Sequence, residues 1–206
     1  FMTALMRNIR AALDVDGLVY RTEEYRGRIL IYGDVTKIAA AVSRVFGIVD
    51  VSICTTCGNA PEDMAAASVS SAEGKLRPGM RFTVRAHRHQ VSGFTSQELA
   101  RIVADAVWEK VPDFVVDLDN PEYEVFVEAR EYGGIVYDGR IPGYGGLPLG
   151  TAGKALVLLA AGIDSPVAAW LMMRRGVVIS GVFMDGGSWA GPATKYLALD
   201  TARILS

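Results

Sequence analysis

The chain has 206 residues, is 50% hydrophobic and 21% charged, and carries a formal net charge of −2. These values exclude a disordered chain and a uniformly basic nucleic-acid binder, and two cysteines cannot staple a disulfide scaffold of this length. No apolar run reaches the roughly 18 residues needed to span a bilayer and no secretory leader opens the chain, so a cytoplasmic globular protein without a membrane partner is expected.

Residues 3–13 read as a helix, with Met2, Leu5, Ile9 and Leu13 recurring at helical spacing and Arg7 and Arg10 on the wet side. Strands are expected over 18–22 and 28–32, joined by a polar turn. Asp34 is placed to cap a helix carrying Ile38, Ala41, Val42 and Val45. A strand follows over 48–53. The order helix, strand, strand, helix, strand describes a ferredoxin-like α+β unit without its first strand.

A second unit starts near residue 58. A helix is expected from Pro61 to about Ser71 and a strand over 80–86. Thr95 and Glu98 then offer a capping box before an amphipathic helix marked by Leu99, Ile102, Val103, Ala106 and Val107. Strands are expected over 113–118, 122–129 and 134–138, the last two joined as a hairpin through Tyr132-Gly133. Residues 139–153 hold six Gly and two Pro, the composition of a loop between domains. Beyond it, 155–159 is an apolar run suited to a strand buried on both faces of a parallel sheet. A turn over 160–165, a helix from Pro166 to Arg175 and a second apolar strand over 177–184 complete a βαβ unit. Two parallel strands do not make a doubly wound domain, so this last domain is expected to be incomplete. Phe1 opens the chain and Ser206 closes it within a helical pattern, and a fragment is expected.

The turn Ala160-Ala161-Gly162-Ile163-Asp164-Ser165 follows a strand and opens a helix, where free amides carry partial positive charge and accept phosphate oxygens. Asp164 can hold Mg²⁺ carried by a nucleotide or cap the helix, and Ser165 can donate to a phosphate. An ordinary strand–turn–helix uses the same residue types, so the residues alone leave both uses open.

The stretch from Leu158 to Gly176, LLAAGIDSPVAAWLMMRRG, resembles the PP-loop segment of the tRNA 4-thiouridine synthetases, also called thiI-type thiamine biosynthesis sulfurtransferases. Gly145-Gly146-Leu147-Pro148-Leu149-Gly150-Thr151-Ala152-Gly153-Lys154 is similar to that family's lead-in to the loop. Arg85-Ala86-His87-Arg88 and Phe94-Thr95-Ser96-Gln97-Glu98 resemble its RNA-binding THUMP module, and Arg7-Asn8-Ile9-Arg10 with Val45-Phe46-Gly47-Ile48 its N-terminal domain. The resemblance implies α+β ferredoxin-like (1–57) and THUMP (58–141) domains, a Gly/Pro linker (142–153), and the start of an α/β parallel-sheet, Rossmann-like PP-loop domain (154–206).

It also implies an activity. Such enzymes use ATP and Mg²⁺ to adenylate a uridine of tRNA, after which persulfide sulfur displaces AMP; the same sulfur can serve thiazole synthesis for thiamine. The implied partners are tRNA and a cysteine desulfurase or other persulfide donor, with a homodimer left open. Asp164 and Ser165 would carry the catalytic role and Asp164 the Mg²⁺. Leu158, Leu159, Ala160, Ala161, Gly162, Phe183 and Met184 would bind the nucleotide, at the carboxyl ends of the strands. The family loop reads Ser-Gly-Gly-x-Asp-Ser where this chain has Ala160 and Ala161, which removes a hydroxyl and restricts φ. A tRNA-binding protein with a non-catalytic loop is therefore the alternative.

Lys75, Arg77, Arg81, Arg85, Arg88 and Arg101 face one acid, Glu98, between residues 74 and 101, whereas 113–138 holds eight acids and only Arg130. That polarity alone also fits a solvated face; taken with the resemblance to the THUMP module, it implies Arg85 and Arg88, then Lys75, Arg77 and Arg81, as RNA-binding residues. Cys54 and Cys57 form a lone C-x-x-C, read as incidental ahead of a metal or redox pair. Trp108, Trp170, Trp189 and the Met172-Met173 pair are expected to pack.

Overall fold

The computed structural model describes residues 1–187 and 192–205; Trp189 lies outside them. The chain divides into two compact units, residues 1–51 with 141–206, and residues 52–140.

The first unit opens with α1 (Met2–Val15), an antiparallel hairpin of β1 (Tyr20–Tyr25) and β2 (Arg28–Gly33), and α2 (Val35–Ser43). The Asp34 side chain accepts from the Lys37 amide, the expected cap, and satisfies one of the free donors at the helix start. Leu5, Met6, Ile9 and Leu13 of α1 bury their stripe against Ile38, Ala41, Val42 and Val45. The strand expected over 48–53 is reduced to β3 (Asp50–Val51), because its antiparallel partner β9 (Ile141–Pro142) ends on a proline with no amide to continue the ladder.

The same unit ends in β10 (Lys154–Leu158), α5 (Asp164–Arg174), β11 (Val178–Val182) and α6 (Pro192–Leu205), with β10 and β11 paired in parallel as the βαβ reading requires. α5 starts two residues before the expected Pro166. A proline in the first turn forfeits no helical hydrogen bond, since those amides have no intrahelical acceptor. β10 is not buried on both faces: Leu156 and Leu158 are 68% and 63% exposed, and Leu159 alone of the expected run is buried. The opposite face meets α5 and α6 around an apolar cleft of about 350 Å³ that includes Leu159, Ala169, Met173, Phe183 and Ala198. Trp170 packs edge-on against Phe46 and Tyr144, at 5.5 and 5.7 Å between ring centroids.

The second unit is a five-stranded sheet in the order β4 (Cys54–Cys57), β8 (Gly133–Tyr137), β7 (Tyr123–Arg130), β5 (Arg81–Arg88), β6 (Val115–Val116). The sequence expectation placed Cys54–Cys57 in the first domain; pairing of β4 with β8 puts it in the second. β7 and β8 form the expected hairpin. α3 (Pro61–Ala72) and α4 (Ser96–Lys110) cover one face, where Met64, Leu99, Val103, Val107, Phe82, Val125 and Val127 are essentially inaccessible. Both halves of the Thr95–Glu98 capping box are formed. The expected strand 113–118 shrinks to two residues at the sheet edge. Trp108 remains 45% exposed, edge-on to Phe114 at 4.9 Å.

Candidate nucleotide and nucleic-acid sites

The bend after β10 is built from main-chain geometry. The Leu159 amide donates to the Val182 carbonyl at 2.8 Å, prolonging the parallel ladder by one step. The chain then leaves the sheet, and the Ala160 amide donates to Ser165 Oγ at 3.1 Å, closing the bend. Because that oxygen acts as acceptor, the Ser165 hydroxyl proton stays available to an incoming oxyanion. The amides of Gly162, Ile163, Asp164 and Ser165 have no acceptor among the described residues, and they stand at the positive end of α5. Asp164 is exposed in the first turn, without an ion-pair partner among the described residues. Neither Ala160 nor Ala161 takes a positive φ. The alanines therefore sit in the bend without backbone strain, and their cost is confined to the lost hydroxyl.

Around the bend, the Phe183 side chain lines the apolar cleft while Met184 is 74% exposed. Leu159 points into the same cleft and Leu158 to solvent. These four positions lie at or just beyond the carboxyl ends of β10 and β11. Asp185 is occupied locally, accepting from the Gly187 amide at 2.9 Å.

The charge polarity of the second unit does not survive folding. β5 pairs in parallel with β7, so the basic and acidic stretches become neighbouring strands. Arg85 donates to Glu124 at 3.0 Å and to the Leu118 carbonyl at 2.6 Å, and Arg81 meets Glu122 at 3.4 Å. Lys75 pairs with Asp138, which also accepts from the Tyr123 hydroxyl at 2.7 Å and from Ser71. Burial pushes the Asp138 carboxyl up, but the hydrogen bonds from Lys75 and Tyr123 outweigh it and hold the group below the ordinary carboxylate range. Burial and Asp138 push the Tyr123 phenol up. Lys75, Arg81 and Arg85 are thus committed to carboxylates. Arg77 is exposed with no acid partner among the described residues, and Arg88 spends one donor on the Val91 carbonyl at 2.6 Å.

A concave region missed by the sequence reading lies between the start of α3 and the loop before α4. It is a cleft of about 790 Å³ lined in part by Asn59, Pro61, Gln90, Phe94, Glu98 and Arg101. Arg88 and Arg101 both act electrostatically on Glu98, whose carboxyl is held low chiefly by the Thr95 amide. Arg101 was visible as part of a charge run; its place beside a cleft depends on α4 packing against α3.

Cys54 and Cys57 lie three residues apart on β4, so their side chains leave opposite faces of the sheet. Cys57 packs against the helix-covered core and Cys54 does not. Neither a disulfide nor a shared metal fits that arrangement. Burial pushes both thiols up, with Glu128 adding at Cys54 and Asp63 at Cys57. Among the described residues no three His, Cys, Asp or Glu side chains converge as a metal cluster.

An α+β module with a five-stranded sheet covered by two helices, joined in sequence to the strand–bend–helix of a parallel sheet, defines the class. Family models agree along the chain: a ThiI ferredoxin-like domain over residues 1–52, a THUMP domain over 60–137, and the thiamine biosynthesis protein (ThiI) over 150–206. The chain belongs to the ThiI family. It is 39% identical to a probable tRNA sulfurtransferase of Methanosarcina mazei, over 98% of this chain and 51% of that protein. It is also 39% identical to a tRNA sulfurtransferase of Pyrobaculum aerophilum, over 98% of this chain and 40% of that protein. The chain spans about half the length of the curated relatives it matches. Among solved structures it resembles a Pyrococcus horikoshii protein with TM-score 0.84 and 28% identity, covering 100% of this chain and 72% of that one. It also resembles a 4-thiouridine synthetase–RNA complex with bound ATP, with TM-score 0.81 and 29% identity, covering 100% of this chain and 52% of that one.

Proposed function

We propose that this chain serves an ATP-dependent tRNA sulfurtransferase that converts a tRNA uridine to 4-thiouridine in the cytoplasm. The observation that carries the reading is the bend at 160–165, with unspent amides at a helix N-terminus, in a chain whose structural relative is a 4-thiouridine synthetase with RNA and ATP bound. Among the described residues no helix is long and apolar enough to cross a membrane.

Uridine O4 attacks the α-phosphorus of ATP and pyrophosphate departs. The terminal sulfur of a persulfide from a cysteine desulfurase or other donor then attacks C4 and expels AMP. A second thiol attacks the donor sulfur, so that the S–S bond breaks to release 4-thiouridine and a disulfide forms between the two thiol sulfurs. The amides of Gly162 to Ser165 and the Ser165 hydroxyl hold phosphate oxygens and neutralise charge as it develops. Asp164 would hold Mg²⁺, a fit supported by its exposed, unpaired carboxylate beside those amides; the ion would supply charge neutralisation of the phosphates. Main-chain groups of Leu158, Leu159, Phe183 and Met184 flank the nucleotide. In the second unit Arg88, Arg77 and Arg101 carry the phosphate contacts. Lys75, Arg81 and Arg85, tied to carboxylates, hold the module together and contribute less to RNA.

The test is the complete protein with Mg-ATP, tRNA and a persulfide donor. Thiouridine in the recovered tRNA supports the reading. Tight tRNA binding with no pyrophosphate release refutes it and favours a binding module with an inert loop.

A further inference from the structure

We propose that Asn8 and Arg7 on α1 are positioning residues for the nucleotide bend, acting through the glycine-rich segment 143–153. The inference rests on the reading of 160–165 as an ATP loop. That segment has linker composition but is hydrogen-bonded on both sides. At its start the amides of Gly143, Tyr144 and Gly145 donate to the carbonyls of Val49, Ser43 and Ile48 at 2.8, 3.0 and 2.8 Å. Gly47 returns a bond to the Gly145 carbonyl at 2.8 Å. Toward its end Leu147 donates to the Arg174 carbonyl at 2.9 Å, and Gly150 and Ala152 donate to the Gly176 carbonyl at 2.9 and 3.0 Å.

Those acceptors sit at the C-terminal end of α5, where helical carbonyls lack intrahelical donors. The segment thus holds one end of the helix whose other end presents the bend. An 11-residue helix moves as a rigid rod of about 16 Å, so a shift at its C-terminus reaches Asp164.

The anchoring of the two ends differs. The start is held by main-chain bonds that no side-chain change removes. The far end is tied to α1 by side chains alone: Asn8 Nδ2 donates to the Leu149 carbonyl at 3.1 Å, and Arg7 Nη2 reaches the same oxygen at 3.4 Å. Two donors on one carbonyl use both its lone pairs. Arg7 is exposed and has no carboxylate partner among the described residues, so its contact with a neutral oxygen is not incidental to an ion pair. Asn8 has the shorter contact and is the principal anchor.

The complete protein decides this. Asn8→Asp keeps the shape and replaces the donor with a repelling oxygen. Its expected effect is at least tenfold faster hydrogen exchange at the Gly150 and Ala152 amides, with β5 and β7 amides unchanged. The kcat for tRNA-dependent pyrophosphate release should fall about tenfold while KM for tRNA stays within twofold. Asn8→Gln, which keeps the donor, should restore most of both. Unchanged exchange overturns the proposal, as does a raised KM with kcat intact, which would place Asn8 on the RNA instead. If Asn8→Asp does not fold, Arg7→Ala supplies the same two readouts with smaller amplitudes. A wild-type protein without pyrophosphate release would refute the reaction, and exchange alone would then decide whether Asn8 holds the segment.

Discussion

Two stretches of small residues in the first unit look alike in composition and differ in what their amides do. In 143–153 most amides are spent on Val49, Ser43, Ile48, Arg174 and Gly176. In 160–165 the Ala160 amide is spent, on Ser165, and those after Ala161 have no acceptor among the described residues. A segment with committed amides is structure, and one with unspent amides at a helix N-terminus is a place for an anion. Small residues permit both, by letting other atoms come close to the backbone.

The comparison is broken most severely at Asp164. Asp164→Ala should lower ATP-dependent pyrophosphate release about 100-fold or more and leave tRNA affinity within twofold. Pyrophosphate release and a filter-binding titration measure the two; parallel losses would mean a folding defect. Next is Gly146→Ala. Gly146 has φ +80° and an added Cβ would run into the Arg174 carbonyl, so the change should cost about 2 kcal/mol or more in urea unfolding. A neutral result would show that the 143–153 segment is not fastened to α5.

The second unit offers a milder contrast, between arginines spent on carboxylates and arginines left to solvent. Charge removal at Arg88 and Arg101 should reduce the salt slope of tRNA binding by about 2, and at Arg81 and Arg85 by less than 1. Equal slopes would return the RNA face to β5. The smallest effect is at Asp138. Its carboxyl is held below the ordinary range, so its bonds with Lys75 and Tyr123 stabilise the fold above the unfolded-state pKa near 3.9. That contribution is lost as pH falls through the lower folded-state value. Asp138→Asn should therefore flatten the acid limb of the stability profile, below the unfolded-state pKa, and leave its slope above about pH 6 unchanged.

Local features were legible where neighbours in sequence are neighbours in space. The Asp34 cap, the Thr95–Glu98 capping box, the α1 stripe and the bend before α5 each depend on residues within about four positions. The bounds of β3 and β6 were not, since a strand extends only as far as a distant partner offers amides and carbonyls. Nor was the exposure of Leu156 and Leu158, because an apolar run records composition and not which faces a neighbour covers.

By itself, then, the order of residues determined the ferredoxin-like and THUMP modules, the start of a parallel sheet and the bend that opens α5. Tertiary structure decided that Lys75, Arg81 and Arg85 face acids, that Arg101 borders a cleft, and that an apparent linker fastens α5 to α1. The physical reason is that helix periods and caps are set by short-range sterics and hydrogen bonds. Charge pairing and amide commitment depend on which strands lie side by side, and the parallel pairing of β5 with β7 and the reach of Asn8 to Leu149 exist only once the chain has closed over more than 30 and 140 residues.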